Sequence, residues 1–572
     1  MRKKVNWENL WDQSMIKRAR ELGGAEFDWV LWDLARKNAR AYRRREAIVD
    51  TFVGTAAGKV RRKTWEEFFK DVNLMVFNLH DLGVRNRDII LTQVPNIIEN
   101  VYARVAVSKL GAIVVPGQVE LGEAETKGLL ELAQPKITIV VPSYHGRDIA
   151  RWHVEYQRDH PSLEYIFAVT RPGEELPEGT EPFSELINPA MRDKYGDEDL
   201  DRMRPDPFDL YEFIPTGGTT GVPKLCMHST YTMAQMHTAV NYGARGGINH
   251  YDSLLCFGPL NGGTGTVAAV HPCLIWGAKL VLLTEFSEVD ACRLTEEEKV
   301  TMWVGIPAAM VKAVKSPYFG KYDMSLLRVV LYSGMPMPVD VAEQFWEMGV
   351  KPCGQYGTSI SGACVGGNVI TDTKEELLYT SGKVYQGWDV KLIGPDGNEV
   401  PQGEYGEIAI WHPHFSYYRT PDLTRESFPK AEEEGYGGYE YTGDIGVFDE
   451  RGNLKIVGRS KDMILRGGQN IFPKEIEDIL VNHPMVQQIV IVAMPDPVLG
   501  EKACAFVVPA PGEKPTLEDL TSYLEDRKVT KFKWPERLEL IDELPLSSGG
   551  KVKRNELKEL IAKKLKKEGK LG

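Results

Sequence analysis

The segment Thr216-Gly217-Gly218-Thr219-Thr220-Gly221-Val222-Pro223-Lys224 gathers groups suited to holding phosphate. Its glycines let backbone N–H groups come close to an anion, its threonines add hydroxyl donors, and its lysine adds positive charge. It is not a Walker A loop, because Lys224 follows Pro223 and precedes Leu225. Nor does it match the dinucleotide pattern G-x-G-x-x-G. Alone, a Gly/Thr-rich stretch is as often an ordinary turn as a phosphate cradle.

It is followed by Ser333-Gly334-Met335-Pro336, Gln355-Tyr356-Gly357-Thr358-Ser359 and Tyr441-Thr442-Gly443-Asp444. Next come Gly458-Arg459-Ser460-Lys461-Asp462, Arg466-Gly467-Gly468-Gln469-Asn470 and Pro545-Leu546-Ser547-Ser548-Gly549-Gly550-Lys551. In this order and at these intervals the set resembles the acyl-adenylate-forming superfamily: acyl- and aryl-CoA ligases, peptide-synthetase adenylation domains and luciferases. The likeness runs from Thr64 to Leu560, nearly the whole chain. Gln93-Val94-Pro95-Asn96 and Arg466-Gly467-Gly468 bring it nearest to aryl-acid-activating members.

The resemblance implies a role for each motif. Residues 216–224, through Thr216, Gly217, Gly218, Thr219, Thr220, Gly221 and Lys224, would embrace the β- and γ-phosphates of ATP. Adenine would lie between the Gly334-Met335-Pro336 backbone and the ring of Tyr356, with Gly357, Thr358 and Ser359 beside the nucleotide. Asp444 would accept hydrogen bonds from the ribose hydroxyls, as a carboxylate can, and Arg459 would assist at ribose or phosphate. Lys551 is the catalytic candidate. Attack of a carboxylate on the α-phosphate gathers negative charge, which an ammonium stabilises more in the transition state than before it. For the second half reaction the resemblance implies a hinge at Lys461 and a coenzyme A passage along Gly467 and Gly468. The acyl pocket would draw on Asn261, Gly262, Gly263, Tyr332 and Ser333.

Two departures stand out. Family members usually read Tyr-Gly-x-Thr-Glu, the glutamate serving the magnesium of MgATP; this chain has Ile360 there. Isoleucine cannot replace a carboxylate, although magnesium keeps several waters and phosphate oxygens as ligands. The protein ligands to the metal are therefore unknown. Many members also read Pro-x-x-His-x-x-Gly, where this chain places Gly262 at the histidine position, which implies a wider pocket mouth.

The elements that must position these motifs are legible as α/β layering. Short β-branched runs at 89–94, 112–115 and 137–141 alternate with helix-like stretches such as 99–110. Strand-like runs resume at 254–257, 278–283, 301–304 and 329–332. Residues 172–209, rich in Pro, Glu and Asp, read as a long surface connection. From Pro401 the texture becomes Gly-punctuated β structure with a hairpin turned at 449–453, and a lysine-rich amphipathic helix spans 551–567. The expected fold is α/β: a large multi-layer N-terminal domain (two α/β subdomains plus a β-rich one) over 1–460. A small mobile α/β domain would follow over 461–572.

Composition narrows the function class. A length of 572 residues exceeds one ordinary core, and a net charge of −12 argues against nucleic acid or anionic membrane as the main partner. Apolar runs are too short to span a bilayer, and no secretory signal is expected at the N-terminus. The seven cysteines form no CxxC pair and the histidines no ligand pair, which points to a reducing cytoplasm rather than a disulfide or zinc framework. The expected reaction is ATP-dependent ligation of a small carboxylic acid, fatty or aromatic, to coenzyme A through acyl-AMP, with Mg2+. The acid's identity stays open. So does the assembly, a homodimer included. Loading of a separate carrier protein and low-turnover nucleotide binding are the alternatives.

Overall fold

The computed structural model describes residues 28–52, 59–216, 224–232, 246–362, 364–411, 417–429, 438–545 and 552–570. They divide into two compact units, 1–390 with 410–440, and 391–409 with 441–572. The sequence-based boundary after residue 460 falls inside the second of these units.

The first unit holds two sheets. In pairing order the nine-stranded sheet runs Lys383–Val384, Cys364–Gly367, Lys351–Gly357, Val329–Tyr332, Met302–Gly305, Ser253–Cys256, Lys279–Leu282, Glu46–Asp50 and Arg61–Thr64. Its centre is parallel. The seven-stranded sheet runs Glu181–Pro182, Tyr165–Ala168, Ile137–Val140, Ile89–Gln93, Ile113–Pro116, Leu210–Thr216 and Lys224–Ser229. Only its last pair is antiparallel. Seven of these strands fall where the β-branched runs at 89–94, 112–115, 137–141, 254–257, 278–283, 301–304 and 329–332 predict them, because strands covered on both faces have no polar side.

Helix Ile98–Leu110 packs on strands of both sheets, on helix Trp65–Asp81, and is buried over nearly its whole length. Its polar residues must therefore find internal partners. Arg104, with no exposed surface, pairs with Glu212 on strand Leu210–Thr216, donates to the Leu260 carbonyl, and reaches Asn100 Oδ1 at 3.1 Å. Burial pushes the Glu212 carboxyl above its ordinary value, and Arg104 holds it back.

Residues 172–209 are more ordered than their composition suggests. They form 3-10 turns Phe183–Ile187 and Pro189–Asp193 and helix Asp197–Arg202. Phe183, Leu186 and Leu200 are buried, and Asn78 donates to the Leu186 carbonyl at 3.2 Å. A few well-spaced apolar side chains suffice to fasten an otherwise polar stretch.

A four-stranded sheet, most of whose residues belong to the second unit, orders Asp389–Ile393, Gly406–Trp411, Tyr439–Phe448 and Leu454–Arg459. The expected hairpin turn is present, closed by Asp449 N–H on the Asn453 carbonyl at 2.9 Å. A second sheet of five strands centres on Val486–Asp496 and Gly500–Pro509. Side chains along a strand alternate between faces. Ile489, Ile491 and Ala493 accordingly meet helices Pro473–Leu480 and Leu517–Asp526, while Val490, Val492 and Met494 meet Leu557, Ile561 and Leu565. The lysine-rich helix thus starts at Arg554, three residues later than expected, and buries one stripe.

Removing Arg104 should strand Glu212. We expect Arg104→Ala to cost about 3–5 kcal/mol near neutral pH, the scale for losing one partner of a buried ion pair. The folded-state pKa of Glu212 then lies above its unfolded value. The penalty is small where the carboxyl is protonated in both states, and it grows as pH rises through the raised folded value. Denaturation of both proteins at about pH 4 and about pH 7 checks this. An equal loss at both would show that the unpaired charge is not the cause.

Candidate active site

Strands Ser253–Cys256, Met302–Gly305, Val329–Tyr332 and Lys351–Gly357 are parallel neighbours, so the loops that follow them emerge at one edge. Those loops carry Asn261, Gly262 and Gly263, then Ser333 to Pro336, then Thr358 and Ser359. Ligands of open α/β sheets gather at such carboxyl ends. The first two loops touch: Thr264 Oγ1 lies 2.6 Å from Ser333 Oγ. Gly334 turns with φ +86°, a value that favours glycine, and Met335 beside it is 53% exposed. Tyr356, by contrast, is buried at the end of its strand.

The expected acyl region is built on Asn96. Its amide donates to the Gly258 carbonyl at 3.0 Å and accepts from Leu260 N–H at 2.9 Å. Thr266 Oγ1 adds a 3.0 Å bond to the Leu260 carbonyl that Arg104 also binds. Asn261 is buried, and its Oδ1 has no hydrogen-bond partner among the described residues, an acceptor left for a ligand or water. Burial pushes the Tyr332 phenol well above its ordinary value, so it stays neutral. A Cβ placed on Gly262 would meet nothing within 4 Å. Tyr332 has not filled that space.

The segment expected to hold phosphate is described at its two ends. Thr216 ends one strand directly opposite Lys224, which begins the next. Gly217, Gly218, Thr219, Thr220 and Gly221 lie outside the described residues. Lys224 Nζ sits 5.8 Å from the centre of the Tyr417 ring. Two residues further along the second strand, buried Cys226 bridges to Tyr417.

Thr358 begins a tight turn. Its Oγ1 accepts from Ser361 N–H at 3.0 Å and donates to Glu440 Oε2 at 3.0 Å. Ile360, where the family pattern has a glutamate, is buried as an apolar side chain. Buried His228 donates from Nε2 to the Ser359 carbonyl at 2.9 Å, which fixes the proton on that nitrogen. Among the described residues no group of three or more His, Cys, Asp or Glu side chains could hold a metal by itself. Glu440, His228, Thr264 and Arg104 escaped the sequence reading. Each acts through a partner distant in the chain, so no local pattern marks it.

In the second unit Asp444 and Arg459 face each other across the hairpin, Arg459 Nε donating to Asp444 Oδ1 at 2.7 Å. Lys461 is exposed in the turn Ser460–Asp462, and its carbonyl accepts from Lys558 Nζ at 3.2 Å. Gly467 and Gly468 have φ of +55° and +85°, the left-handed pair that a two-residue hairpin needs. Gly467 N–H is held by the Leu499 carbonyl at 2.8 Å. Lys551 lies outside the described residues. Arg554 nearby is anchored on Glu477 at 2.8 Å.

Residues 35–417 match the family model of the AMP-binding enzymes, and residues 475–551 match the C-terminal domain of AMP-binding enzymes. The chain belongs to the AMP-binding enzyme family. A medium-chain fatty-acid–CoA ligase of Escherichia coli (strain K12) is 30% identical over 84% of this chain and 83% of its own length. A feruloyl-CoA synthase of an Amycolatopsis species is 27% identical over 86% of this chain and 93% of its own. Among solved structures, an anthranilate CoA ligase with bound anthranoyl-AMP shares the fold at a TM-score of 0.80. It is 22% identical and covers 96% of this chain and 99% of its own. An amide bond synthetase from Marinactinospora thermotolerans follows with a TM-score of 0.77 at 22% identity, covering 93% of this chain and 99% of its own. No helix among the described residues is long and apolar enough to cross a membrane.

Two glycines of the acyl loop should respond differently to a methyl group. At Gly265 a Cβ would lie 2.3 Å from the Pro259 carbonyl oxygen, against open space at Gly262. We expect Gly265→Ala to lose about 1–3 kcal/mol, the scale of core overpacking. Gly262→Ala should be neutral or slightly stabilising. Thermal midpoints of the two variants check this, and equal values would refute the difference in space.

Proposed function

We propose that the chain is an AMP-forming acid–CoA ligase. It joins a carboxylic acid to ATP as acyl-AMP, with release of pyrophosphate. It then passes the acyl group to the thiol of coenzyme A, with release of AMP. The observation that carries this reading is the convergence of three motif loops at the carboxyl edge of one parallel sheet, two of them bonded through Thr264 and Ser333. Family membership and relatives named as CoA ligases support it.

The chain's residues divide the work. Residues 216–224 enclose the outer phosphates; adenine lies along the Gly334 to Pro336 backbone near Tyr356; Asp444, with Arg459 on one oxygen, accepts from ribose. Lys551 carries the positive charge that offsets negative charge growing on the α-phosphate. Magnesium, brought with ATP, neutralises phosphate charge when bound, and Thr358 and Ser359 offer it hydroxyl oxygens. Lys461 is the pivot between the 1–460 and 461–572 parts, and Gly467 and Gly468 admit the narrow pantetheine arm. The acid is medium-chain or aromatic, a reading that the names of the relatives support, and open space at Gly262 leaves room beside it. The cysteines are all buried thiols, which fits a reducing cytoplasm.

A pyrophosphate-release screen over linear, branched, alicyclic and aromatic acids tests the reading. At least one acid should release pyrophosphate, and thioester should form only with coenzyme A present. Thioester on a carrier protein with none on free coenzyme A would favour the carrier-loading alternative. With an accepted acid, Lys551→Ala should lose at least about a hundredfold in adenylation while still using supplied acyl-AMP. Lys461→Pro, which locks φ, should do the reverse. Equal loss of both half reactions in either variant would contradict these roles.

A further inference from the structure

Asp444 stands where its strand departs from the regular ladder. Gly443 before it has φ +72°, in the left-handed region that favours glycine, although a Cβ there would meet nothing within 4 Å. Glycine is needed at this point for its backbone angle, not for room. A left-handed residue within a strand turns its N–H out of the line of ladder bonds, and that donor must find another acceptor. It finds a side chain. Gly443 N–H donates to Glu407 Oε1 at 2.9 Å. The next residue along that neighbouring strand holds the turn as well: Thr442 Oγ1 donates to the Ile408 carbonyl at 2.9 Å and accepts from Asp444 N–H at 3.1 Å. Glu407 is half-buried on strand Gly406–Trp411 and belongs to none of the nucleotide motifs.

We propose that Glu407 is a positioning residue for the nucleotide: it sets the turn at Gly443, and through it the direction in which Asp444 meets ribose. The proposal rests on the functional reading above, in which Asp444 accepts from the ribose hydroxyls. A carboxylate that accepts from a backbone N–H makes a charge-assisted bond, stronger than the neutral kind. It can therefore impose the left-handed angle that glycine permits but does not enforce. Without that bond Gly443 is free to relax toward ordinary strand geometry, and the carboxylate one residue on changes direction. Hydrogen bonds weaken steeply with angle, so a carboxylate that receives two neighbouring hydroxyls tolerates little such change. Arg459 Nε fixes Asp444 from the other side, at 2.7 Å from Oδ1. Glu407 acts on the nucleotide only through Gly443 and Asp444.

The test titrates the full chain with ATP and with dideoxy-ATP, which lacks both ribose hydroxyls, in the absence of acid so that no turnover occurs. A site that hydrogen-bonds a hydroxyl rejects the analogue lacking it. The unaltered protein should bind ATP at least about tenfold more tightly than the dideoxy form, the scale of hydrogen bonds to a charged group, and Asp444→Ala should abolish the preference. We expect Glu407→Ala, with Asp444 in place, to reduce the preference to about threefold or less while affinity for the dideoxy form does not change. Glu407→Gln keeps an acceptor oxygen and should restore most of the preference. Glu407→Asp withdraws the oxygen by one methylene and should not. Should Glu407→Ala fail to fold, the Gln and Asp variants carry the test. An undiminished preference in Glu407→Ala or Glu407→Asp overturns the proposal, as does an equal loss of affinity for both nucleotides, which would mark Glu407 as structural. If the unaltered protein shows no preference, or Asp444→Ala retains it, ribose is not held by Asp444. The functional reading of that residue then falls, and this proposal with it, before Glu407 is altered.

Discussion

One guanidinium ties the two halves of the candidate site together. Arg104, on a helix packed on both large sheets, binds Glu212 on the strand that leads to Thr216, and the Leu260 carbonyl in the acyl loop. The phosphate hairpin of one sheet and the acyl loop of the other thus share a reference point. Arginine suits this place because its planar fork sends several donors in fixed directions. A buried ion pair adds little stability over a well-packed apolar pair, but it penalises any arrangement that separates the partners. Glu212 Oε2 has no other partner among the described residues, which sharpens that penalty.

The neighbouring features depend on that frame. Asn96 repeats the device on a smaller scale, fixing the turn from Gly258 to Leu260 with a donor and an acceptor on one amide. Once that turn is fixed, Gly265 must be glycine to pass the Pro259 carbonyl, and Thr264 falls within reach of Ser333. Open space at Gly262 therefore sits in a loop held rigid on either side. Under the proposed function such a loop would select an acid by shape, whereas a loose one would adapt to many.

Much of this was legible in the sequence, for identifiable reasons. Strands such as Val329–Tyr332 were readable because burial on both faces leaves unbroken β-branched runs. Gly334, Gly467 and Gly468 were singled out through the resemblance, and each turns with a positive φ that favours glycine. Phe183 and Leu186 were missed, since isolated apolar residues in a Pro- and Glu-rich stretch show no period. Pairings were missed too. Arg104 and Glu212 are 108 residues apart, Thr358 and Glu440 82, and only the fold brings them together. The departure at Ile360 was visible at once; the burial of its side chain was not.

The chemistry itself can be read from the oxygens. An acyl adenylate forms when a carboxylate oxygen attacks the α-phosphate, and that oxygen leaves with AMP when the thiol attacks the carbonyl carbon. Turnover of an accepted acid labelled with 18O in its carboxylate, followed by mass spectrometry of the products, should therefore place one label in each AMP. Label in orthophosphate, with ADP as the nucleotide product, would mean an acyl phosphate instead and would contradict an adenylate-forming ligase.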